Sequence, residues 1–422
     1  MNRIPQSNGG GNKKTSPKAT DNSRYAGSFV KRNRRRIIVG REDKSALNSK
    51  GEEIHMKNIT VIMKPTFSCN LRCKYCYHSE TQYIESLMSE ELLEKTISLV
   101  QSEYEDVMYV WHGGEPLLCG IEFYRKAVEL QLKYAGNTRR IRNSIQTNGT
   151  IITDEMIDFC LKNSFSVSVS YDGPGELNRY RQNGDITEKN IKYMIQKGLP
   201  VAMLSVISRI NVHEMQSIVD HAALLGIPVK LNPVFKTNTY DHSDYLIEPG
   251  DYIREFTALF DSWLYDQNAR TDVEPIMQYI KMYLTGKGTE CVYGSCMYHW
   301  IGVMQDGTVF PCGRNYPSEY ALGNIAKSNS IEELFACDTY KKLTVDSILR
   351  REHCASTCAY FDVCRGGCNS NSLLTGTAEK PNADNCEMFK GCYGYIANKL
   401  SQIGVIEREK LNPYMRKVLP VV

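Results

Sequence analysis

The amino-acid sequence predicts an α/β protein in which a parallel sheet precedes a smaller, cysteine-rich domain. Three observations support this prediction. Short β-branched runs alternate with helical stretches between about residues 58 and 265, cysteines are concentrated between Cys291 and Cys386, and the first 57 residues are basic and poor in hydrophobic side chains. The expected domains are a disordered basic arm, the sheet domain, the cysteine-rich domain and a C-terminal tail, with bounds of 1–57, 58–285, 286–395 and 396–422.

Six strand-then-helix units make up the predicted sheet domain. In each unit a short β-branched run is followed by a stretch whose apolar residues recur at helical spacing. Six such units predict a parallel sheet that is either open and doubly wound or an incomplete barrel, with functional sites at the C-terminal ends of the strands. The predicted strand and helix pairs are 59–63 with 90–104, 107–110 with 121–134, 141–146 with 154–161, 166–170 with 188–196, 201–207 with 215–225, and 229–234 with 251–265.

The length of 422 residues allows two or three domains with a sizeable core. The sequence has no run of about eighteen apolar residues, so no membrane-spanning helix is expected. The N-terminus also lacks the apolar segment of a secretory signal. In a large chain without an export signal, the 15 cysteines favour metal ligation or redox chemistry over a disulfide framework. We therefore expect a cytoplasmic, metal-binding protein.

The N-terminal arm is strongly basic. Residues 1–50 contain 13 Lys and Arg but only 3 Asp and Glu, with a cluster of basic residues at 31–36. Low hydrophobicity and charge of one sign favour disorder. Two interpretations stay open: a solvated extension without a part in the activity, or an electrostatic handle for an acidic peptide or a nucleic acid.

Beyond about residue 285 the strand and helix alternation stops, and turn residues and cysteines replace the long periodic runs. We expect bound metal, rather than apolar packing, to supply the core of this segment. Asp306 and Gly307 lie between two short apolar runs and predict a type I′ hairpin. Such a hairpin would bring Cys312 back toward Cys296.

Cys69, Cys73 and Cys76 form a CxxxCxxC run just beyond the first predicted strand, where the chain should loop over the edge of the sheet. Three closely spaced thiolates can hold three irons of a cubane cluster and leave the fourth iron without a protein ligand. A chemical site, unlike a structural one, requires an open coordination position of this kind. A zinc site with a distant fourth ligand and unligated cysteines are the alternatives.

This run, with the aromatic Tyr75 before its last cysteine, resembles the signature of the radical S-adenosylmethionine (radical SAM) enzymes. In that family the open iron binds the amino and carboxylate groups of SAM, and reductive cleavage of SAM yields a 5′-deoxyadenosyl radical. The resemblance implies that Gly113, Gly114 and Glu115, after the second strand, are the family's GGE motif beside the methionyl amino group. Glycines there would let the backbone approach a ligand closely, and a carboxylate suits an ammonium group.

Two further segments fit the resemblance. The segment Gln146-Thr147-Asn148-Gly149 ends the third strand, and it matches the family's TNG turn. The fourth strand alternates apolar and small polar residues, so one of its faces has hydroxyl groups, although an ordinary amphipathic strand would look the same. The resemblance places Ser170 and Asp172, at the end of that strand, near the ribose and methionyl groups of SAM.

The C-terminal cysteines are similar in order to those of the SPASM domain, with the spacing C-x3-C-x5-C-x3-C-x17-C from Cys354 onward. The SPASM pattern normally begins C-x2-C, so the first interval is one residue longer here. A pair of zinc ribbons is the alternative. The resemblance implies a partial (β/α)6 radical SAM barrel followed by a SPASM domain that binds two auxiliary [4Fe–4S] clusters.

Three [4Fe–4S] clusters are therefore implied, together with SAM. The implied ligands are Cys69, Cys73 and Cys76 for the SAM-binding cluster, Cys291, Cys296, Cys312 and Cys368 for the first auxiliary cluster, and Cys354, Cys358, Cys364 and Cys386 for the second. The four remaining cysteines are expected to be buried, inert thiols, namely Cys119, Cys160, Cys337 and Cys392.

SPASM enzymes act largely on peptides and proteins. The resemblance thus implies a maturase that abstracts hydrogen from a peptide or protein and makes an oxidative modification, such as a thioether or carbon–carbon crosslink or an oxidised residue. The SAM-binding cluster would need an external electron donor such as flavodoxin or ferredoxin, and the auxiliary clusters could accept the electron left on the substrate. A dehydrogenase for a sugar or another small molecule is one alternative, and a non-catalytic zinc-binding or nucleic-acid-binding protein is another.

The sulfatase-maturing branch of the family resembles this chain in length and cysteine order, but it has an aspartate base directly after the third cysteine of the first auxiliary cluster. Gly313 stands at that position and cannot take a proton, so no catalytic acid or base is assigned. The first 58 residues are too few and too polar for a leader-binding domain, so the arm or a separate recognition protein would deliver a peptide. We expect neither a membrane nor a nucleic acid as partner.

Overall fold

The computed structural model of the chain describes residues 46–47, 53–54, 57–78, 86–136, 138, 140–234, 243–269, 271–288, 290–293, 296–314, 316–373, 379–403 and 408–418. These residues belong to one compact unit. The prediction of a basic arm at 1–57 falls almost wholly outside the described residues. No helix in the described part of the chain is long and apolar enough to cross a membrane.

A ten-stranded sheet forms the centre of the fold, in the order β12-β11-β10-β3-β4-β5-β6-β7-β8-β9. The strands from β3 to β9 are all parallel, and β10 adds a further parallel strand on the other side of β3. A separate antiparallel ribbon pairs β1 with β2. The strands are β1 Ala46–Leu47, β2 Glu53–Ile54, β3 Asn58–Met63, β4 Asp106–Trp111, β5 Arg140–Thr147, β6 Ser166–Ser170, β7 Val201–Ile207, β8 Val229–Pro233, β9 Val273–Glu274, β10 Trp300–Val303, β11 Thr308–Phe310 and β12 Gly323–Asn324.

Helices connect the parallel strands, and several begin at side-chain caps. Ser89 and Thr153 each accept a hydrogen bond from a backbone N–H in the first turn of the helix that follows. The described helices are α1 Glu90–Glu103, α2 Gly120–Lys133, α3 Asp154–Lys162, α4 Gly184–Gln196, α5 Met215–Leu225, α6 Pro249–Tyr265, α7 Ile276–Thr285, α8 Ile331–Phe335, α9 Asp338–Thr357, α10 Phe361–Cys364, α11 Asn369–Leu373, α12 Ala383–Ser401 and α13 Pro413–Val418.

The six predicted strand and helix units are confirmed, and the two faces of the sheet decide between the alternatives left open by the sequence. Along β7, Met203 and Ile207 are buried in the main core, whereas Leu204 and Val206 line a cavity on the opposite face. Helices cover the first face, as in a barrel wall, so the sheet is the incomplete barrel rather than the doubly wound alternative. The sequence did not reveal the short strand β9, which extends the parallel sheet by one strand.

The predicted hairpin at Asp306 and Gly307 forms, but its turn is not type I′. That turn requires a positive φ at both central residues, and of the two only Gly307, at +83°, has one. The loop covers four residues, with Gly307 N–H bonded to Met304 O (3.0 Å) and Met304 N–H bonded to Thr308 O (2.9 Å). A four-residue turn closed by a left-handed glycine therefore joins β10 to β11.

The expectation that metal alone supplies the core of the C-terminal segment is wrong. Ile301, Val303 and Val309 of the hairpin are fully buried and belong to the same apolar core as the barrel. The segment also contains two long helices, α9 and α12, where the sequence indicated few periodic runs. Along α9 the buried face includes the polar Ser347 and the charged Arg350, so apolar residues occupy only part of its helical period.

Candidate functional site

A cavity of about 620 Å³ lies at the C-terminal ends of the parallel strands, where the sequence predicted the site. The loop after β3, the ends of β4 to β9 and the C-terminal cysteine segment all contribute to its wall. Nine of the eleven predicted cluster ligands line it, the exceptions being Cys354 and Cys358. The nine are Cys69, Cys73, Cys76, Cys291, Cys296, Cys312, Cys364, Cys368 and Cys386.

The loop that contains Cys69, Cys73 and Cys76 is held by hydrogen bonds to two neighbouring loops. Lys74 N–H donates to Tyr180 O (2.9 Å), and the Cys73 thiol donates to Arg181 O (3.5 Å). On the other side, Asn148 Nδ2 lies 3.9 Å from Cys69 Sγ. Burial raises the pKa of Cys73 to about 12; Arg181 opposes this shift, whereas Cys76 and Cys69 add to it.

Gly113 and Gly114 let the chain after β4 run against the segment that precedes Cys69. Gly114 N–H donates to Thr66 O (3.0 Å), and a Cβ on Gly114 would lie only 2.3 Å from both Phe67 O and Ser68 O. Gly113 has a φ of +115°, and a Cβ there would meet Thr66 O at 2.3 Å. The close approach that requires these glycines is therefore to the chain's own backbone, and both glycines also line the cavity.

Glu115 is fully buried behind the cavity wall and ties the ends of β4 and β5 together. One carboxylate oxygen accepts from Leu117 N–H (3.0 Å) and Thr147 Oγ1 (2.8 Å), and the other accepts from Asn148 N–H (2.7 Å). Burial raises the pKa of this carboxyl to about 7, and these hydrogen bonds oppose the rise. The contact of Glu115 with the SAM amino group stays a prediction.

Tyr75 and Asp172 meet beneath the cavity and hold an arginine that the sequence analysis missed. The Tyr75 hydroxyl donates to Asp172 Oδ2, and Asp172 Oδ1 lies 3.5 Å from Arg181 Nε. The Arg181 guanidinium is 5.5 Å from the centre of the Tyr75 ring and lines the cavity. No motif spacing marks Arg181; only its place beside Asp172 in the fold does. Ser170 and Gln146 line the same part of the cavity.

The four cysteines predicted for the first auxiliary cluster lie near one another. Burial raises the pKa of Cys291 to about 12, and the charges of Cys368 and Cys312 add to the rise. Burial also raises the pKa of Cys296 well above its usual range, and the charges of Cys368, Cys291 and Cys312 add to this rise. Hydrogen-bond donors surround these sulfurs: Arg314 N–H lies 3.5 Å from Cys312 Sγ, and Asn369 Nδ2 lies 3.5 Å from Cys296 Sγ.

The second predicted auxiliary set forms a separate group. Burial raises the pKa of Cys364 to about 12, with further contributions from Cys386, Cys358 and Cys354. Burial raises the pKa of Cys386 as well, and Cys354 and Cys358 are again among the contributors. Cys364 and Cys386 are thus near the other members of their predicted set, and the assignment of ligands to the two auxiliary clusters stays a prediction.

The thiols in these groups fit iron–sulfur clusters. None of the 15 cysteines is in a disulfide, and the negative charge of one buried thiolate would raise the pKa of its neighbours. A bound metal centre reverses that effect because cationic iron stabilises the thiolate. Among the described residues, no group of three or more His, Cys, Asp or Glu side chains is arranged to hold a single metal ion.

The four unassigned cysteines differ in burial. Cys160 and Cys392 are buried in the main core, as expected. Cys119 and Cys337 are only half-buried, so that expectation is wrong for these two. The Cys337 sulfur accepts a hydrogen bond from Tyr340 N–H and so caps α9, a role that needs an accessible position at the end of a helix.

A buried lysine and two histidines that the sequence did not single out lie near the first cysteine loop. Lys64 is only 1% exposed, and its Nζ lies 3.1 Å from His78 Nε2. His112 Nδ1 accepts from Gly113 N–H (2.7 Å), and both histidines line the cavity. Burial lowers the pKa of Lys64 to about 7, and the charges of Cys312 and Cys76 oppose this shift.

Gly313, which replaces the aspartate of the sulfatase-maturing branch, is packed against β3. A Cβ at this position would lie 2.4 Å from Ile62 Cγ2. Both residues line the cavity. A side chain at 313 therefore has no room unless Ile62 moves.

A parallel α/β barrel with a three-cysteine loop at its C-terminal edge, joined to two further cysteine sets, defines a radical SAM enzyme with an auxiliary-cluster domain. The Radical SAM superfamily matches residues 63–222, and the SPASM iron–sulfur cluster-binding domain matches residues 291–369. The chain belongs to the radical SAM family, in the group with a SPASM domain. Family membership implies [4Fe–4S] clusters and SAM as cofactors.

The relatives include anaerobic sulfatase-maturating enzymes. The cysteine-type enzyme of Clostridium perfringens (strain 13 / Type A) is 30% identical over 82% of this chain and 99% of its own length. The serine-type enzyme of Bacteroides thetaiotaomicron is 27% identical over 84% of this chain and 93% of its own. The solved structure of native anSMEcpe with bound AdoMet (SAM) and the Kp18Cys peptide has a TM-score of 0.70 and 26% identity, and covers 82% of this chain and 100% of that one.

Proposed function

We propose that this protein is a radical SAM/SPASM maturase that abstracts hydrogen from a peptide or protein and completes an oxidative modification. The single observation that supports this most is the shared cavity, which the predicted SAM-binding loop and the first auxiliary cysteine set line together. A substrate residue in that cavity would lie between a radical source and an electron acceptor. The peptide bound in the similar anSMEcpe structure supports a substrate of the same class.

Three [4Fe–4S] clusters and SAM are the proposed cofactors, with the eleven cysteines as ligands in the three sets described above. When bound, the first cluster and SAM supply a 5′-deoxyadenosyl radical by reductive cleavage, and the auxiliary clusters accept an electron. Flavodoxin or ferredoxin is the proposed electron donor, and a separate recognition protein could deliver the peptide. The abundance of free thiols favours the reducing cytoplasm as the place of action.

The chain's own residues orient SAM. Arg181 is held by Asp172 and Tyr75, so its guanidinium is positioned to pair with the SAM carboxylate. Gln146, Asn148 and Ser170 line the adjoining wall and offer hydrogen bonds to the ribose and methionyl groups. Glu115 keeps the ends of β4 and β5 in place behind them and is the proposed partner of the amino group.

The metal content tests this proposal. Three four-iron clusters should give about 12 irons per chain with matching sulfide after anaerobic reconstitution. With SAM and a reductant, the loaded protein should form 5′-deoxyadenosine, and short cysteine-containing peptides should lose the mass of two hydrogen atoms as a thioether or carbon–carbon crosslink forms. A parallel assay with sugars is the control for the small-molecule alternative. Stoichiometric zinc with little iron, or turnover of sugars alone, would contradict the proposal.

The particular modification made by the relatives, conversion of a sulfatase residue, is not expected from this chain. We expect no formylglycine from cysteine or serine peptides, because Gly313 supplies no base. Installing the base as Gly313→Asp should not create the activity, since its Cβ would contact Ile62 at 2.4 Å. That variant should instead lose about 1–3 kcal/mol of unfolding free energy from overpacking.

Denaturant unfolding measures the expected loss of stability in Gly313→Asp, and mass spectrometry of the peptides tests for formylglycine. The double variant Ile62→Ala with Gly313→Asp makes room for the carboxylate and is the matched control. It should recover part of the lost stability. Formylglycine formed by the unaltered chain would show that another residue takes the proton and would overturn this expectation.

A further inference from the structure

Two basic side chains are almost completely buried beside the cysteine sets. Lys64 and Arg350 are each 1% exposed. The Lys64 ammonium lies 3.1 Å from His78 Nε2 and 5.6 Å from the centre of the Tyr77 ring. Arg350 Nε donates to Gly366 O (2.9 Å), and its Nη2 donates to Asn369 Oδ1. A charge taken out of water is costly unless an opposite charge lies near it.

Each of these side chains lies close to two different cysteine sets. Lys64 contacts His78, two residues after Cys76, and it follows Ile62, against which Gly313 packs beside Cys312. Arg350 lies one turn before Cys354 on α9, and its partner Asn369 donates to Cys296 Sγ (3.5 Å). The groups that act electrostatically on Lys64 are Cys312 of the first auxiliary set and Cys76 of the SAM-binding loop. Burial lowers the pKa of Arg350, and the groups that oppose this shift include Cys368 and Cys296 of the first auxiliary set and Cys354 of the second. Each of the two buried basic side chains is therefore near two of the three cysteine sets.

Thiolate-ligated clusters, once assembled, supply negative charge beside both side chains. A [4Fe–4S] cluster with cysteine ligands has a negative net charge, and reduction by one electron makes that charge more negative. A cation in a buried, low-dielectric position favours the more negative state. Net charge and hydrogen bonds to the sulfurs are among the factors that set cluster reduction potentials.

We propose that Lys64 and Arg350 are shared counter-cations that raise the reduction potentials of the clusters on either side of them. Lys64 serves the SAM-binding cluster and the first auxiliary cluster, and Arg350 serves the two auxiliary clusters. The inference rests on the proposed function, because it requires all three clusters to assemble. Both residues act through the clusters and are positioning residues, not catalytic ones.

Removing each charge in turn tests the proposal. We expect Lys64→Met to make reduction of the SAM-binding and first auxiliary clusters about tenfold less favourable, equivalent to about 59 mV for a one-electron couple. The second auxiliary cluster should keep its potential. Arg350→Met should lower the potentials of the two auxiliary clusters and leave the SAM-binding cluster unchanged. Potentiometric titrations followed by electron paramagnetic resonance give these values, and addition of SAM identifies the signal of the SAM-binding cluster.

Charge-matched variants separate the effect of position from that of charge number. Lys74 lies between two of the predicted ligand cysteines, but its side chain is exposed, so Lys74→Met removes a charge that is in water. Lys341 is on the same helix as Arg350, and Lys341→Met removes a charge whose side chain is 65% exposed. Water screens both charges, so neither change should move any potential appreciably. Lys64→Arg keeps the charge and should stay near the unaltered potentials.

Iron and sulfide analysis of every variant keeps the outcomes distinct. Fewer than three clusters in the unaltered chain would contradict the proposed function. Three clusters with unchanged potentials in Lys64→Met and Arg350→Met would overturn the counter-cation inference alone. If Lys64→Met does not load iron, Lys64→Gln removes the same charge and retains a hydrogen bond to His78, so its potentials decide the question.

Discussion

Replacement of Cys69, Cys73 and Cys76 together by alanine is expected to reduce 5′-deoxyadenosine formation to background while both auxiliary clusters remain. The pKa of Cys73 responds to the other two cysteines of its own loop, whereas that of Cys296 responds to Cys291, Cys312 and Cys368. The three loop cysteines are thus a set separate from the auxiliary ligands. The variant should keep about 8 of about 12 irons, the content of two four-iron clusters.

Iron and sulfide analysis, with chromatography of 5′-deoxyadenosine after reduction in the presence of SAM, measures both effects. Cys119→Ala is the matched control, since Cys119 is a half-buried cysteine outside the three sets. It should retain all the iron and the full rate of SAM cleavage. Detectable cleavage of SAM by the triple variant would remove the basis for assigning the radical chemistry to this loop.

Gly114→Ala is expected to have the second largest effect, although it adds a single methyl group. The new Cβ would lie 2.3 Å from both Phe67 O and Ser68 O, and these are backbone atoms that cannot rotate away. The segment before Cys69 would have to move, and with it the loop that positions the first cluster. We expect a loss of about 1–3 kcal/mol in unfolding free energy and of about 4 irons, the content of one cluster.

Denaturant unfolding and iron analysis of the same preparation test this expectation. Gly250→Ala is the control, because its Cβ would meet nothing within 4 Å and the residue lies inside α6. Alanine is favoured over glycine in a helix by up to about 1 kcal/mol, so this change should be neutral or stabilising. A Gly114→Ala protein with full iron and normal SAM cleavage would show that the contact relaxes without moving the loop.

The parts of the fold that the sequence could predict are those where local pattern and burial agree. Strands β6 and β7 and helix α5 have the predicted bounds because their apolar periodicity starts and stops at the ends of the elements. Helix α4 begins at Gly184, four residues before the predicted start, because Ile186 in its first turn is exposed and Asp185 favours the helix N-terminus. Helix α9 was missed because its buried face includes polar and charged side chains.

The residues of the candidate site likewise fall into those that the sequence could predict and those that it could not. The cysteines, the GGE motif and the TNG turn could be found because their spacing along the chain is itself the signal. Arg181, Lys64 and Arg350 could not, because each belongs to the site only through contacts made across the fold, with Asp172, with His78 and with Asn369. An isolated Lys or Arg in a sequence most often has its charge in water, so burial has to be seen before such a residue is suspected.

The parallel pairing of β10 with β3 has a consequence for the evolution and engineering of such enzymes. Trp300 to Val303 align with Thr60 to Met63 in a fixed register. Strand β3, which leads to the first cysteine loop, and strand β10, which leads through the hairpin to Cys312, are thereby joined by backbone hydrogen bonds and not by a tether of adjustable length. A chimaera that took its C-terminal half from a relative would have to reproduce this register, because a slip of one residue would turn Ile301 and Val303 out of the core. The two halves are therefore not interchangeable cassettes, and electrons would cross between them over a distance that is built into the sheet.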